Sequence, residues 1–408
     1  MAKTLVYQLY PRSWQGLAEM EDFLYQIAEL DVDYVWLSPL YPSPGYDHGY
    51  DISDYQDIDP RFGSMHDFDC FVETAHNLGM GVLMDLVLNH TSTKHEWFNY
   101  HPEYYCWSKT DRPGWRNLFN GDSAWQYYEQ DGEYYLHLFH EEQADLNWFP
   151  EGSDGDINQE LVKRFREIID FWTLDHLVDG FRLDIPQSIN KDFARDTLEI
   201  KNLLYGDKAA KVLNAVFGGG SKDLFLMMEC VCSSPADGLV DYYTRNTPVD
   251  FVLDVSLKDK AGYADEVDFF DLVKEAAAEP HFMLDLESHD SPRLPSRGID
   301  PADGIWCMFN SGAEAICLYQ GQELGLTNPT EEQLPDHKLV DLDAQTKMRF
   351  RQGALLQDLR PLSRSNARVP LPLDEYEKQD PNPSSYLNLT KDWIARWRDS
   401  EDSEEPEE

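Results

Sequence analysis

Carboxylates, histidines and an arginine recur in this chain where short apolar runs end. One run closes on Asp85-Leu-Val-Leu-Asn89-His90, another on Arg182-Leu-Asp184 and a third on Glu229. Two more close on Glu287-Ser-His289-Asp290 and Gln320-Gly-Gln322-Glu323. If these runs are strands, their period of two puts Arg182 and Asp184 on the same face. A charged pair aimed into an interior is costly unless it is paired or serves a reaction. Several carboxylates, two histidines and an arginine around one mouth suit the cleavage of a glycosidic bond. A retaining glycosidase needs one carboxylate nucleophile and one protonated carboxylic acid, roughly 5–5.5 Å apart. Neighbouring carboxylates raise the pKa of the acid by like-charge repulsion, and an arginine beside the nucleophile keeps that group ionised. Acid and histidine clusters also bind metals in other barrels. The residues alone therefore imply a carbohydrate hydrolase or a metal hydrolase.

A scaffold has to bring these groups together. Eight β-rich apolar runs are spaced along the chain, at 5–10, 34–40, 81–89, 180–185, 224–229, 249–257, 281–287 and 315–319. Helical patterns lie between most of them: Phe23, Ile27 and Leu30 share one face, as do Phe68, Phe71, Val72 and Ala75, and 157–177 predicts a longer helix. Strands alternating with helices predict parallel βαβ units. Eight such units predict an α/β fold closed as a (β/α)8 TIM barrel, in preference to an open doubly wound sheet. In such a barrel, reactive residues gather at the C-terminal ends of the strands. The interval between His90 and Pro150 is too long for a connection. It is rich in Trp, Tyr, His and Gly and holds a hairpin pattern around Asp131-Gly132. The expected organisation is a catalytic barrel made of 1–90 and 151–398, with a small domain inserted after strand 3 at 91–150. A closing helix is expected over 386–398, and a disordered acidic tail over 399–408.

The 408 residues include 76 acidic and 34 basic side chains, a formal net charge of −42. Such a surface repels nucleic acid and anionic membranes. The acids are spread along the chain, which predicts a solvated, salt-adapted (halophilic) surface; the plainer alternative is an acidic protein of ordinary salt habit. Six cysteines show neither a disulfide framework nor zinc spacing, and Cys230 and Cys232 are expected to pack. The N-terminus passes straight into an apolar strand, without the long apolar segment of a secretory signal. No run of 18 apolar residues is present. A cytoplasmic protein is expected, with no membrane partner and no cofactor; the oligomeric state is not legible.

The motifs carry a resemblance to a known family. DLVLNHT (85–91), GFRLDIP (180–186), the glutamate in LMMEC and ESHDSPR (287–293) are similar to the four signature regions of the α-amylase superfamily, glycoside hydrolase family 13. QADLNW (143–148) is similar to the fifth. SPLYPSPGYDHGYDISDYQDIDPRFGS, HEWF, YYLHLF, YQGQELGLTN and SRSNARVP extend the match from residue 7 to near Arg398. Within the superfamily the chain resembles the oligo-1,6-glucosidase/α-glucosidase branch.

The resemblance implies that Asp184 is the nucleophile, Glu229 the general acid/base and Asp290 a third carboxylate that stabilises the transition state. It implies that Arg182 orients Asp184, that His90 and His289 hydrogen-bond glucose in the first subsite, and that Tyr50 stacks there. Asp85 and Asn89 would support them, the asparagine also helping to hold calcium in many relatives. Asp47 and Arg297 match the acidic and basic pair that closes the pocket on a terminal glucose in exo-acting relatives. The implied activity is a retaining exo-acting α-glucosidase on short oligosaccharides or α-glucosides. Three departures stand out. SWQGLAEMEDF replaces the usual calcium loop, so no metal is expected; Ser288 replaces an asparagine; and the β-sandwich that normally follows the closing helix is expected to be lacking. Ile185, after the nucleophile, leaves α-1,4 versus α-1,6 preference open. The alternatives are a transglycosylase or a trehalose- or sucrose-type isomerase, an endo-acting α-amylase, and a non-catalytic amylase-like subunit. The three carboxylates and the lack of a membrane helix count against the last.

Overall fold

The computed structural model describes residues 3–119, 121–151, 153, 155–219, 223–232, 238–254, 257, 266–328, 367–368 and 384–400. The eight expected strands form, with ends shifted or trimmed. They are β1 (Thr4–Leu9), β2 (Tyr34–Leu37), β3 (Gly81–Leu86), β4 (Gly180–Leu183), β5 (Phe225–Cys230), β6 (Phe251–Asp254), β7 (Met283–Asp285) and β8 (Ala315–Tyr319). They lie parallel in the order β6-β5-β4-β3-β2-β1-β8-β7. The ends of that order meet at one parallel bridge, Val252 to Phe282, with Val252 N donating to the His281 carbonyl at 3.0 Å. The result is a nearly closed barrel.

The strands are buried on both faces, which is why they read as continuous apolar runs and not as alternating ones. Val6, Trp36, Leu83, Met227, Phe251 and Met283 fill the barrel, while Leu5, Tyr7 and Leu9 of β1 belong to the core between barrel and helices. At the start of β4 only a glycine fits: a Cβ on Gly180 would lie 1.9 Å from the Phe225 carbonyl oxygen.

Among the described residues at least one helix follows each strand, and eight are used below. They are α1 (Leu17–Ala28), α2 (Met65–Asn77), α3 (Gln159–Asp170), α4 (Lys208–Phe217), α5 (Leu239–Asn246), α6 (Glu266–Ala277), α7 (Pro301–Asn310) and α8 (Ser384–Asp399). Local signals set their starts. Ser64 and Asp67 form a reciprocal capping box on α2, and the Asn158 side chain caps α3. The apolar stripe of α2, with Phe68, Phe71, Val72 and Ala75, is the face it buries. The helix expected over 157–177 is α3 plus one π-helical turn, Phe171–Asp175. Helix α8 ties the ring's N-terminal end, with Trp397 Nε1 donating to the Ala313 carbonyl at 2.8 Å and Arg398 paired with Asp33 at 2.6 Å. No helix among the described residues is long and apolar enough to cross a membrane.

The insertion between β3 and α3 holds two small antiparallel sheets. His90–Ser92 pairs with Gln143–Asp145; Glu133–Leu136 pairs with both Trp107–Ser108 and Trp125–Tyr128. Gly132, at a φ of 68°, makes the hairpin turn that the Asp-Gly pattern predicts. Trp115 stacks on Phe193 from the segment after β4, at 5.2 Å and 4° between planes, so the insertion shares a core with the barrel's top. Among the described residues no strand follows β8. The tail expected from 399 onward lies, past Ser400, outside the described residues.

Candidate active site

One buried guanidinium organises the top of the barrel. Arg182 sits on β4 in register with Asp85 of β3, so strand pairing alone brings the two together. Its Nη1 donates to Asp85 Oδ1 at 2.6 Å and to Asp184 Oδ1 at 2.8 Å, while Nη2 pairs with Glu229. Glu229 belongs to β5, two residues past Met227, which is level with Arg182. The guanidinium also lies over the Trp36 and Tyr50 rings, at 5.2 and 5.7 Å. After Asp184 the chain turns sharply: Ile185 has a φ of 26°, a strained value for a β-branched residue.

Three carboxylates share this one cation. Burial pushes the Asp184 carboxyl well above its usual range; Arg182 pulls it down, and the charges of Glu229 and Asp85 push it up again. Burial also raises Asp85, against the opposing pull of Arg182. Three acids around one base raise one another's pKa, which favours sharing a proton within the cluster.

A second group faces it from the segment after β7. Gln8 Nε2 on β1 donates to His289 Nδ1 at 2.8 Å. That leaves the proton on Nε2, which donates to the Tyr50 hydroxyl at 2.7 Å and to Asp290 Oδ2 at 3.0 Å. Tyr50 in turn donates to Asp85 at 3.3 Å. Burial lowers His289 to about 4, so the ring is a neutral donor. The buried Arg368 pairs with Asp290 and donates from Nε to the His289 carbonyl at 2.7 Å. Asp290 keeps 30% of its side chain exposed, the most open of the three expected catalytic carboxylates, against 12% for Asp184 and 9% for Glu229. Of the three, Asp290 is thus the one most reachable from outside.

The third wall comes from the insertion. Lys191 Nζ donates to Asn89 Oδ1 at 2.6 Å and pairs with Asp145 at 2.9 Å. Asn89 then donates to His90 Nδ1 at 3.1 Å, and His90 Nε2–H donates to the Tyr50 carbonyl at 3.2 Å. Burial takes His90 down to about 3, so it too is neutral. Asparagine in this place helps hold calcium in many relatives; here an ammonium stands between Asn89 and Asp145. Among the described residues no cluster of histidine, cysteine, aspartate or glutamate has the make-up of a metal site.

Asp47 and Arg297 are each held by neighbours of their own elements or of the insertion. Asp47, 6% exposed, accepts from Gln143 Nε2 at 3.0 Å. Arg297 closes a 3-10 turn, Leu294–Arg297, and its Nη2 donates to the Leu286 carbonyl. The remaining expected site residues, Asp184, Glu229, Asp290, Arg182, Tyr50, His90 and His289, form one connected network. Sequence reasoning gave no role to Gln8, Trp36, Gln143, Lys191 or Arg368. Gln8, Gln143 and Arg368 lie inside the motifs YQLYPRSW, QADLNW and SRSNARVP, so the signal was present without its chemistry.

Comparisons with known proteins give the family and the fold. A model of the α-amylase catalytic domain matches residues 13–395. The oligo-1,6-glucosidase of Parageobacillus thermoglucosidasius is 31% identical over an alignment of 442 positions, covering 92% of this chain and 75% of that protein. The trehalose-6-phosphate hydrolase of Bacillus subtilis is also 31% identical, covering 92% of this chain and 74% of that protein. Among solved structures, the trehalose-6-phosphate hydrolase of Bacillus licheniformis superposes with a TM-score of 0.81 at 27% identity, over 98% of this chain and 83% of that one. The trehalulose synthase of Pseudomonas mesoacidophila MX-45, 23% identical with a TM-score of 0.81 over 97% of this chain and 83% of that one, shares the fold.

Proposed function

The chain belongs to the α-amylase family of glycoside hydrolases, and on that premise we propose that it is a retaining, exo-acting α-glucosidase, releasing terminal non-reducing glucose from short oligosaccharides or α-glucosides. The observation that carries the reading is the shared guanidinium: Arg182 holds Asp184 at 2.8 Å from one nitrogen and Glu229 from the other. That arrangement supports two carboxylates flanking one anomeric carbon.

Asp184 attacks the anomeric carbon while the bond to the leaving oxygen breaks. Glu229, the protonated acid in this reading, gives its proton to that oxygen. The result is a β-glucosyl ester on Asp184 and a Glu229 carboxylate. Water then loses a proton to Glu229, its oxygen attacks the anomeric carbon, and the ester bond breaks to free Asp184. Asp290, oriented by Arg368 and His289, holds the sugar's 2- and 3-hydroxyls as charge develops. Neutral His90 and His289 donate to other hydroxyls, and Tyr50 stacks beneath the ring. Asp47 stands at the far wall and supports chain-end attack. With Arg297, the cation expected beside it, it closes the pocket on a terminal glucose in this reading. We further propose a cytoplasmic, salt-adapted enzyme.

The test is hydrolysis of p-nitrophenyl α-D-glucoside in high salt, with the first-formed anomer read by NMR. α-Glucose should appear first, and Asp184→Ala should lose activity by several orders of magnitude. β-Glucose appearing first would refute retention; an active Asp184→Ala would refute the nucleophile. Product identification on maltose, isomaltose, sucrose, trehalose and trehalose 6-phosphate assigns the linkage and separates hydrolysis from transfer or isomerisation.

A further inference from the structure

The loop after β2 and the insertion meet beside Asp47 through two contacts on opposite sides of one joint. On the loop side, the Asp51 carboxylate accepts from Ser43 Oγ at 2.8 Å and from the backbone N–H groups of Gly45, Tyr46 and Asp47 at 2.9, 3.0 and 3.0 Å. Four hydrogen bonds to one carboxylate fix the loop's shape before any sugar arrives. On the insertion side, His140 and Gln143 close a turn on each other: His140 N donates to Gln143 Oε1 at 2.8 Å, and Gln143 N to the His140 carbonyl at 2.9 Å.

The two rigid pieces are then joined. Inside, the fully buried Gln143 donates to Asp47 at 3.0 Å. Outside, the Tyr46 and His140 rings stack at 5.7 Å and 26°, with Tyr46 47% exposed. The joint therefore stands between solvent and one side of the candidate site, where Asp47 and His90 are buried. A glucan continuing past the terminal glucose on that side would have to pass through it.

We propose that this clasp, Tyr46 on His140 outside and Gln143 on Asp47 inside, is the wall that makes the enzyme chain-end specific, with Gln143 as the positioning residue for Asp47. It rests on the α-glucosidase reading above, and it names what that reading leaves open: the groups that exclude the interior of a longer chain. Neither ring touches the reacting atoms. Their part is to hold the wall shut, so its loss should alter which substrates enter and leave the chemistry of a bound glucose intact.

Two variants, Tyr46→Ala and Gln143→Ala, are compared with wild type on three substrates: α-D-glucosyl fluoride, maltoheptaose, and maltoheptaose whose terminal glucose carries a 4,6-O-ethylidene block. Wild type should cleave the first two and leave the blocked chain intact. Each variant should raise the ratio of blocked to free cleavage by about tenfold, the scale of a lost pocket contact. Tyr46→Ala should keep its kcat on the fluoride within about twofold and its Tm near wild type, since an exposed surface side chain contributes little to stability. An unchanged ratio in both variants overturns the clasp while leaving the glucosidase reading in place. Cleavage of the blocked chain by wild type overturns chain-end attack itself, and the clasp with it. Lack of wild-type activity on the fluoride marks failure of the glucosidase reading.

Discussion

Glu323 carries a buried carboxyl that the reaction does not use. It lies in the short turn after β8 and accepts from the Tyr7 hydroxyl at 2.8 Å. Burial raises it to about 7 from an ordinary 4.5. A group whose folded pKa is raised gives stability that is fully present below about 4.5 and lost as pH rises through about 7. Glu323→Gln cannot ionise, so it should escape that loss. Its stability relative to wild type should improve between pH 5 and pH 9, by at most roughly 3 kcal/mol. Thermal melts of both proteins across that range check it; a difference that does not move with pH would refute the assignment. At this scale the sequence was readable where chemistry coincides with strand ends. Asp85, Arg182, Asp184 and Glu229 could be picked out because strand alternation and pairing bring them to one mouth. Gln8, Lys191 and Arg368 could not, because each acts through a partner far away in the chain. The distance from Gln8 to His289, or from Arg368 to Asp290, exists only once the barrel has closed.

Lys191 shows how three elements are held in one geometry. It leaves the turn after β4 and reaches Asn89 at the end of β3 and Asp145 in the insertion's two-stranded sheet. Lys208, at the start of α4, adds a bond to the Lys191 carbonyl. Lys191→Met keeps the volume and removes the charge, leaving Asp145 buried with its cation gone. That should cost on the order of 3–5 kcal/mol and loosen the insertion. Dialysis of wild type against EDTA should leave its activity unchanged, because the cation here is part of the chain. A Lys191→Met protein melting with wild type, or a wild type inactivated by EDTA, would refute this. The large elements were legible because their signals are long: eight apolar runs, and stripes such as Phe68, Phe71, Val72 and Ala75 on α2. The insertion was legible only as an interval of wrong length with one hairpin. Its strands of two to four residues, such as Trp107–Ser108, are too short to carry a period, and the Trp115–Phe193 stack that anchors them joins segments 78 residues apart.

A net charge of −42 acts on the molecule as a whole. Spread over the surface it repels itself, and it does so least when salt shortens the Debye length, from about 10 Å at 0.1 M to about 3 Å at 1 M. The salt adaptation we propose predicts a Tm that rises between about 0.05 M and about 2 M potassium chloride, with activity following. A Tm indifferent to salt across that interval would refute it. The ring itself has a fault line. Among the described residues, seven neighbouring strand pairs share ladders of three to five residue pairs, while β6 and the start of β7 are bridged by hydrogen bonding at the single pair Val252 and Phe282. Thermal breathing begins where the bonding is thinnest. If the cylinder parts there, Asp184 and Glu229 stay on one shore, still gripped by Arg182, and Asp290 drifts off on the other with β7, His289 and Arg368. On the proposed mechanism the nucleophile and its acid/base are thus carried on one bank of a crack and the group that steadies the sugar on the other, so the reaction would be complete only while the crack is shut.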